Sequence, residues 1–147
     1  MAGSLRAVPD TNVLLAAHLS SHATSPTAEI LDRWQRREFL FLSSLDTLAE
    51  YAEKLLAHGV PPAEAQEFIR LLARHGEIVP VVFFRFRHYP VDPDDVMFHL
   101  CAINGRATPL VNYDDHLLSL RPYYAGELTI CKPIEFLKDC RKALSAS

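Results

Sequence analysis

An α/β protein built on a mainly parallel sheet is what this sequence predicts, and three observations carry the prediction. Apolar runs of strand length alternate with stretches of helical spacing. Two of the runs, "AVPD" ending at Asp10 and "PLVNYD" ending at Asp114, close on an acid that opens a helix. With 147 residues, 49% of them hydrophobic, the chain can bury one sizeable core and is too short to make two domains the expectation, so residues 1–147 read as a single domain.

Leu5–Pro9 is a short apolar run broken by Arg6 and reads as a strand stopping at Asp10. Thr11–Leu19 follows as a helix, with Val13, Leu14, Ala16 and Ala17 apolar. A second helix is predicted from Pro26 to Arg37, capped by Ser25 and burying Ile30, Leu31 and Trp34. "FLFLS", Phe39–Ser43, is a fully apolar strand. From Leu45 to Ala57 the positions Leu45, Leu48, Ala49, Ala52, Leu55 and Leu56 keep helical spacing, with Ser43 or Ser44 as the cap. "GVPPAEAQEF" marks a turn and a new helix that runs to Gly76, and the two together read as a helical hairpin. Glu77–Phe86 is strand-like, and Pro80 makes it an edge strand or bends it.

The next helix is announced by "VDPDDVMFHLCA". With Asp92 as N-cap, Pro93 falls at N1, Asp94 at N2 and Asp95 at N3, an arrangement that favours carboxylates at the positive end of the helix. Val96, Met97, Leu100, Cys101 and Ile103 carry its spacing, and Gly105 stands where a C-terminal glycine belongs. "TPLVNYDDHLL" repeats strand, acid and short helix; "ELTI", Glu127–Ile130, is a further strand; and Cys131–Cys140 is a final helix with Pro133 in its first turn.

Composition narrows the class. A net charge of −3 and a pI near 6.1 exclude the strongly basic footprint of a pure nucleic-acid-binding module, without touching an enzyme with a local metal-loaded acidic site. Cys101, Cys131 and Cys140 are odd in number and lack C-x-x-C spacing, so they read as reduced core thiols and point to a cytoplasmic protein. "MAGSLRAVPD" has no export pattern and no apolar run approaches the ~18–20 residues that span a bilayer. No repeat is present, and only the first residues and the terminal "ALSAS" read as disorder-prone.

In parallel α/β sheets ligands bind beyond the carboxyl ends of the strands, where Asp10 and Asp114 fall. A third acid at a helix start would join them if the strands are neighbours. Like charges ~4 Å apart repel by about 1 kcal/mol in water and up to ~4 at an effective dielectric of 20. A divalent cation removes that conflict, and hard oxygen ligands select Mg²⁺ or Mn²⁺, ions suited to phosphodiester hydrolysis.

Four stretches, "VPDTNVLL", "LSSLDTLAEYAEKLL", "DPDDVMFHLCAINGRATPLVNYDDHLLSL" and "ELTICKPIEFLKD", resemble in order and over almost the whole chain the PIN-domain family. The likeness is strongest to its branch of VapC-type toxin ribonucleases from toxin–antitoxin pairs. The resemblance implies a three-layer α/β/α sandwich with a central, mainly parallel sheet, and hydrolysis of single-stranded RNA at clustered acids that bind Mg²⁺ or Mn²⁺. Carried over by position, those acids are Asp10, Glu50, Asp95 and Asp114, with Asp10, Asp95 and Asp114 holding metal. Thr11 and Asn12 support the first. Glu50 lies six residues past Ser44, and Asp95 is chosen over Asp92 and Asp94 because a small residue, Ala102, follows seven positions later. Asn112 stands where relatives have Thr or Ser two residues before the last acid; it can still hydrogen-bond a ligand or carboxylate. A homodimer and an antitoxin protein as partner are further implications.

Each acid keeps a plainer reading. Asp10 can cap the helix it precedes, Asp114 and Asp115 can cap the next one, and Asp92 and Asp94 serve as cap and dipole residues. Glu50 lies opposite the apolar stripe of its helix, where a solvated glutamate is the default, and Glu53 is its rival. The seven histidines form no H-E-x-x-H pattern and read mostly as surface residues, with His116 near the site. Arg85, Arg87, His88 and Arg106 flank the DPDD helix. Two other functions compete: an aspartate-based phosphotransfer or phosphatase domain, disfavoured because Asn12 stands where the phosphatases need a second Asp, and a non-catalytic scaffold that binds metal or a partner protein.

Overall fold

Arg6–Pro9 forms β1, the central strand of a five-stranded, all-parallel sheet in the computed structural model, which describes residues 5–19, 25–82, 93–106, 109–124 and 128–145. Its neighbours are β2 (Leu40–Ser43) and β4 (Leu110–Val111), followed outward by β3 (Glu77–Ile78) and β5 (Ile130–Cys131), giving the order β3-β2-β1-β4-β5. Arg6 pairs with Leu40 on one side, and Val8 with Leu110 on the other. A proline in a central strand is unusual. Here Val8 and Asp10 donate their N–H groups to Pro109 and Val111, so the missing N–H of Pro9 falls on the other side and takes nothing from that ladder.

Helices α1 (Thr11–Leu19), α2 (Pro26–Gln35), α3 (Leu45–Ala57) and α4 (Pro62–His75) connect β1 to β2 and β2 to β3. The crossover then reverses direction: α5 (Pro93–Asn104) leads from β3 back past β2 and β1 to β4, and α6 (Asp115–Ser119) with a 3₁₀ turn at Arg121–Tyr124 leads on to β5. Right-handed crossovers put helices of opposite progression on opposite faces. This yields the three-layer α/β/α sandwich expected, with α7 (Pro133–Ser145) returning to pack on α2. The reversal lies between β1 and β4. Crevices that bind ligands in open α/β sheets form at such a switch point.

The helix starts follow local chemistry. Ser25 caps α2 by accepting the Ala28 N–H, and Ser44, of the two candidates, caps α3 in a reciprocal box with Thr47. Trp34, Phe41, Tyr51 and Phe68 meet edge to face in the core, and Phe136 of α7 packs on Phe39. All three cysteines are buried free thiols, with burial pushing Cys101 and Cys131 up to about 12 and Cys140 to about 11.

Several boundaries differ from expectation. β3 is only Glu77–Ile78: Val79 still donates to the Ser43 carbonyl, but β2 itself ends at Ser43, where Ser44 caps α3. The expected continuation over 83–86 lies outside the described residues. β5 is Ile130–Cys131, one residue past the expected end at Ile130, because the Cys131 carbonyl accepts the Asn112 N–H and the helix waits for Pro133; the expected start, Glu127, lies outside the described residues. α7 extends five residues beyond the expected Cys140 to Ser145, into part of the tail read as disorder-prone. An ion pair from Arg141 to Glu29 of α2, at 2.6 Å, ties that last stretch down.

Candidate active site

β1 delivers Asp10 to the carboxyl end of the sheet. Its backbone carbonyl accepts from Val13 and Leu14, and its carboxylate accepts the Thr11 and Asn12 N–H groups, so the residue does cap α1. Capping does not use up the residue, because its side chain is also 6% exposed at the wall of a pocket of about 160 Å³. The other walls are Thr11, Asn12, Glu50, Lys54, Asp95 and Phe98. Burial first, then the carboxylates of Asp95 and Asp114, push Asp10 up from 3.8 to about 7 against the opposing pull of the two backbone N–H groups.

Glu50 reaches the pocket from α3 and is half-buried, although a helical wheel sets it opposite the apolar stripe. Leu48, Tyr51 and Leu55 bury one face of α3, while the helix also abuts α1 and α5, so the other face is not simply solvent. Glu53 is exposed and is not a wall residue. Asp95 arrives from the first turn of α5, and Ala102, seven positions on, is fully buried. Asp92 as cap lies outside the described residues, as do Arg85, Arg87 and His88 and the side chains of Asp94 and His116.

Asp114 follows β4. It is exposed and does not line the pocket, but its charge is felt at Asp10. Asn112 is completely buried, and its Oδ1 accepts the Asp114 N–H at 3.0 Å, which holds that acid's backbone at the strand end. The structure thus brings Asp10, Glu50 and Asp95 around one pocket and sets Asp114 beside it.

Residues that sequence reasoning did not single out hold this geometry. The Tyr51 hydroxyl donates to the Pro9 carbonyl at 2.5 Å, pinning β1 one residue before Asp10. His99 is fully buried, contrary to the surface reading of the histidines, and its Nδ1 lies 3.0 Å from the Asp95 carbonyl, while its ring packs on Tyr124. A carbonyl only accepts, so Nδ1 carries the proton, and burial lowers the imidazole pKa and keeps it neutral. Lys54 stands one turn beyond Glu50. Spacings of four, from Asp95 to His99 and from Glu50 to Lys54, were the signals that could have found the last two.

The donor set suits a hard divalent cation: carboxylates, an Asn amide, and the buried Thr11 Oγ1, which has no hydrogen-bond partner among the described residues. Among the described residues no three carboxylate, imidazole or thiol groups are gathered closely enough to hold one ion as they stand, so an ion would have to draw the acids inward.

The family model described as PIN domain matches residues 6–116. The chain belongs to the PIN-domain family. PIN domains are generally nucleases and typically use divalent metals. Among solved structures, this PIN domain is similar to the VapBC2 complex from Rickettsia felis bound to a DNA fragment from its promoter, at 14% identity over 87% of this chain and 98% of that one, with a TM-score of 0.60. The PIN domain of RRP44 from T. brucei also matches at 14% identity, over 99% of this chain and 89% of that one, with a TM-score of 0.45. No curated protein matches the chain. The family match takes in all four acids and ends before β5 and α7. No helix among the described residues is long and apolar enough to cross a membrane.

Proposed function

We propose that this PIN domain is an endoribonuclease that hydrolyses phosphodiester bonds of single-stranded RNA with Mg²⁺ or Mn²⁺. The observation that carries the reading is the buried Asp10 carboxyl, held near a pKa of about 7 by burial and by the acids around it. Clustering acids around a desolvated one is unfavourable unless a cation joins them. Asp10, Asp95 and Asp114 would hold that cation, and Glu50 would complete the set directly or through water. Thr11 and Asn12 would add oxygen donors from the first turn of α1, and Asn112 would keep Asp114 at the rim.

When bound, a divalent ion lowers the pKa of a water and offsets charge on a scissile phosphate. The protein's part is orientation. Tyr51 fixes the end of β1, His99 fixes the turn of α5 that carries Asp95, and Phe98 supplies an apolar wall that limits water at the pocket. The Rickettsia felis neighbour was solved as a VapBC2 complex, and an antitoxin protein is the partner proposed here by analogy, together with a homodimeric, cytoplasmic state.

The test is cleavage of a labelled, mixed-sequence single-stranded RNA in Mn²⁺, Mg²⁺ or EDTA, beside Asp95→Asn purified identically. Metal-dependent cleavage that is absent from the variant supports the reading. Equal cleavage by both proteins would reject this site.

A further inference from the structure

The acidic pocket has one cationic wall residue among those described. Lys54 sits on α3 one turn beyond Glu50 and shares the pocket with three carboxylates, those of Asp10, Glu50 and Asp95. A lysine serving as their counterion would be drawn into contact. Lys54 instead takes part in no ion pair among the described residues, although its side chain is half-buried in the same wall. Its ammonium belongs to the wall that anything entering the pocket would meet.

An RNA strand approaching this pocket faces a net negative wall, and a divalent ion deep among the acids offsets repulsion only near itself. A lysine at the wall gives a polyanion a foothold there. The compact, strongly hydrated ammonium suits a single non-bridging phosphate oxygen, whereas a planar guanidinium would be suited to a bidentate grip. α3 begins where β2 ends, on one side of β1, and Asp114 stands beyond β4 on the other side. Lys54 and Asp114 thus flank Asp10 from opposite directions along the sheet edge.

We propose that Lys54 binds a non-bridging oxygen of an RNA phosphate at the Asp10–Glu50–Asp95 pocket, seating the strand on the α3 side of the site. This rests on the nucleolytic reading above, and it makes Lys54 a substrate-binding residue and not a metal ligand.

The experiment compares wild type, Lys54→Met and Lys54→Arg in two assays. Initial rates of single-stranded RNA cleavage in Mn²⁺ give kcat and KM. Fluorescence anisotropy of a labelled single-stranded RNA in Ca²⁺, across a KCl series, gives affinity and its salt slope. Lys54→Met should raise KM about tenfold with a smaller change in kcat, as expected for loss of one charged hydrogen bond. It should also make log K against log[salt] shallower by about 0.7, the contribution of one phosphate contact on a single strand. Lys54→Arg should restore most of both.

Unchanged KM and salt slope in Lys54→Met, with wild type cleaving RNA, would overturn the phosphate contact and leave the nuclease reading standing. A change confined to melting temperature or Mn²⁺ affinity would also overturn it, since that is what a lysine acting only to offset the acids would produce. If wild type cleaves nothing, the nuclease reading fails and the anisotropy assay decides alone: equal binding by the two proteins refutes the contact, and weaker, less salt-dependent binding by Lys54→Met supports it.

Discussion

Replacing Asp10 with Asn should stabilise the metal-free protein, and it should do so only above mildly acidic pH. Asp10 is 6% exposed, and burial with the neighbouring acids raises its pKa from 3.8 to about 7. Between those values the native state keeps a proton that the unfolded chain has released, so the native state binds more protons and the unfolding free energy falls as pH rises through this window. Stability is greatest below the unfolded value, declines up to about pH 7, and levels off above it. At about 1.4 kcal/mol per pKa unit the full penalty is about 4 kcal/mol at pH 8. Relaxation and water entry make about 2–4 kcal/mol the working range. Asn has nearly the same shape and no charge, so Asp10→Asn should match wild type near pH 4 and exceed it by that amount at pH 8. For a domain of this size that corresponds to a rise in Tm on the order of 10 °C. Urea denaturation at pH 4, 6 and 8 in EDTA, both proteins side by side, measures it. A variant whose advantage does not grow with pH would refute the argument that Asp10 is held charged at a cost.

Other perturbations probe the frame around the acids. Adding Mn²⁺ at pH 8 should raise the Tm of wild type and leave Asp10→Asn nearly unmoved, as read by differential scanning fluorimetry. Tyr51→Phe removes the O–H donated to the Pro9 carbonyl and should cost about 1–3 kcal/mol in urea denaturation. RNA cleavage by that variant should fall as well, since β1 ends one residue before Asp10. Gly76→Ala would press a Cβ into the backbone carbonyl oxygens of Phe41 and Leu72, so it should destabilise the fold by several kcal/mol or lower the soluble yield sharply. Ser44→Ala, which breaks the capping box of α3, should cost about 1 kcal/mol.

What was legible in the sequence and what was not divides along physical lines. Helix starts carry their own chemistry within a turn, so Ser25, Ser44 and Pro93 announced the starts of α2, α3 and α5, whereas α7 begins at Pro133, two residues after the expected Cys131. Strand ends depend on partners distant in sequence. Nothing local in "ELTIC" says that Cys131 must pair with Val111, or in "EIVPVV" that the ladder to β2 stops after Ile78. The acids at the ends of β1 and β4 were readable because strand, acid and helix occur in sequence order, and the PIN resemblance ordered them. Glu50 was harder: a helical wheel has only one buried side, whereas α3 meets β2 and α4 on one face and α1 and α5 elsewhere. His99 was misread for the same reason, since α5 lies across β1, β2 and β4 and also packs its first turns near the 3₁₀ segment through Tyr124.

The central claim is that the acids around Asp10 form an ion site. Isothermal titration of Mn²⁺ into metal-free protein at pH 6, repeated in two buffers of different ionisation enthalpy, tests it most directly. The account predicts binding with release of up to one proton, because Asp10 is largely protonated at that pH and must lose its proton to hold an ion, and it predicts that Asp10→Asn loses both the binding and the release. Mn²⁺ binding of equal strength in the two proteins, or none in either, would contradict it.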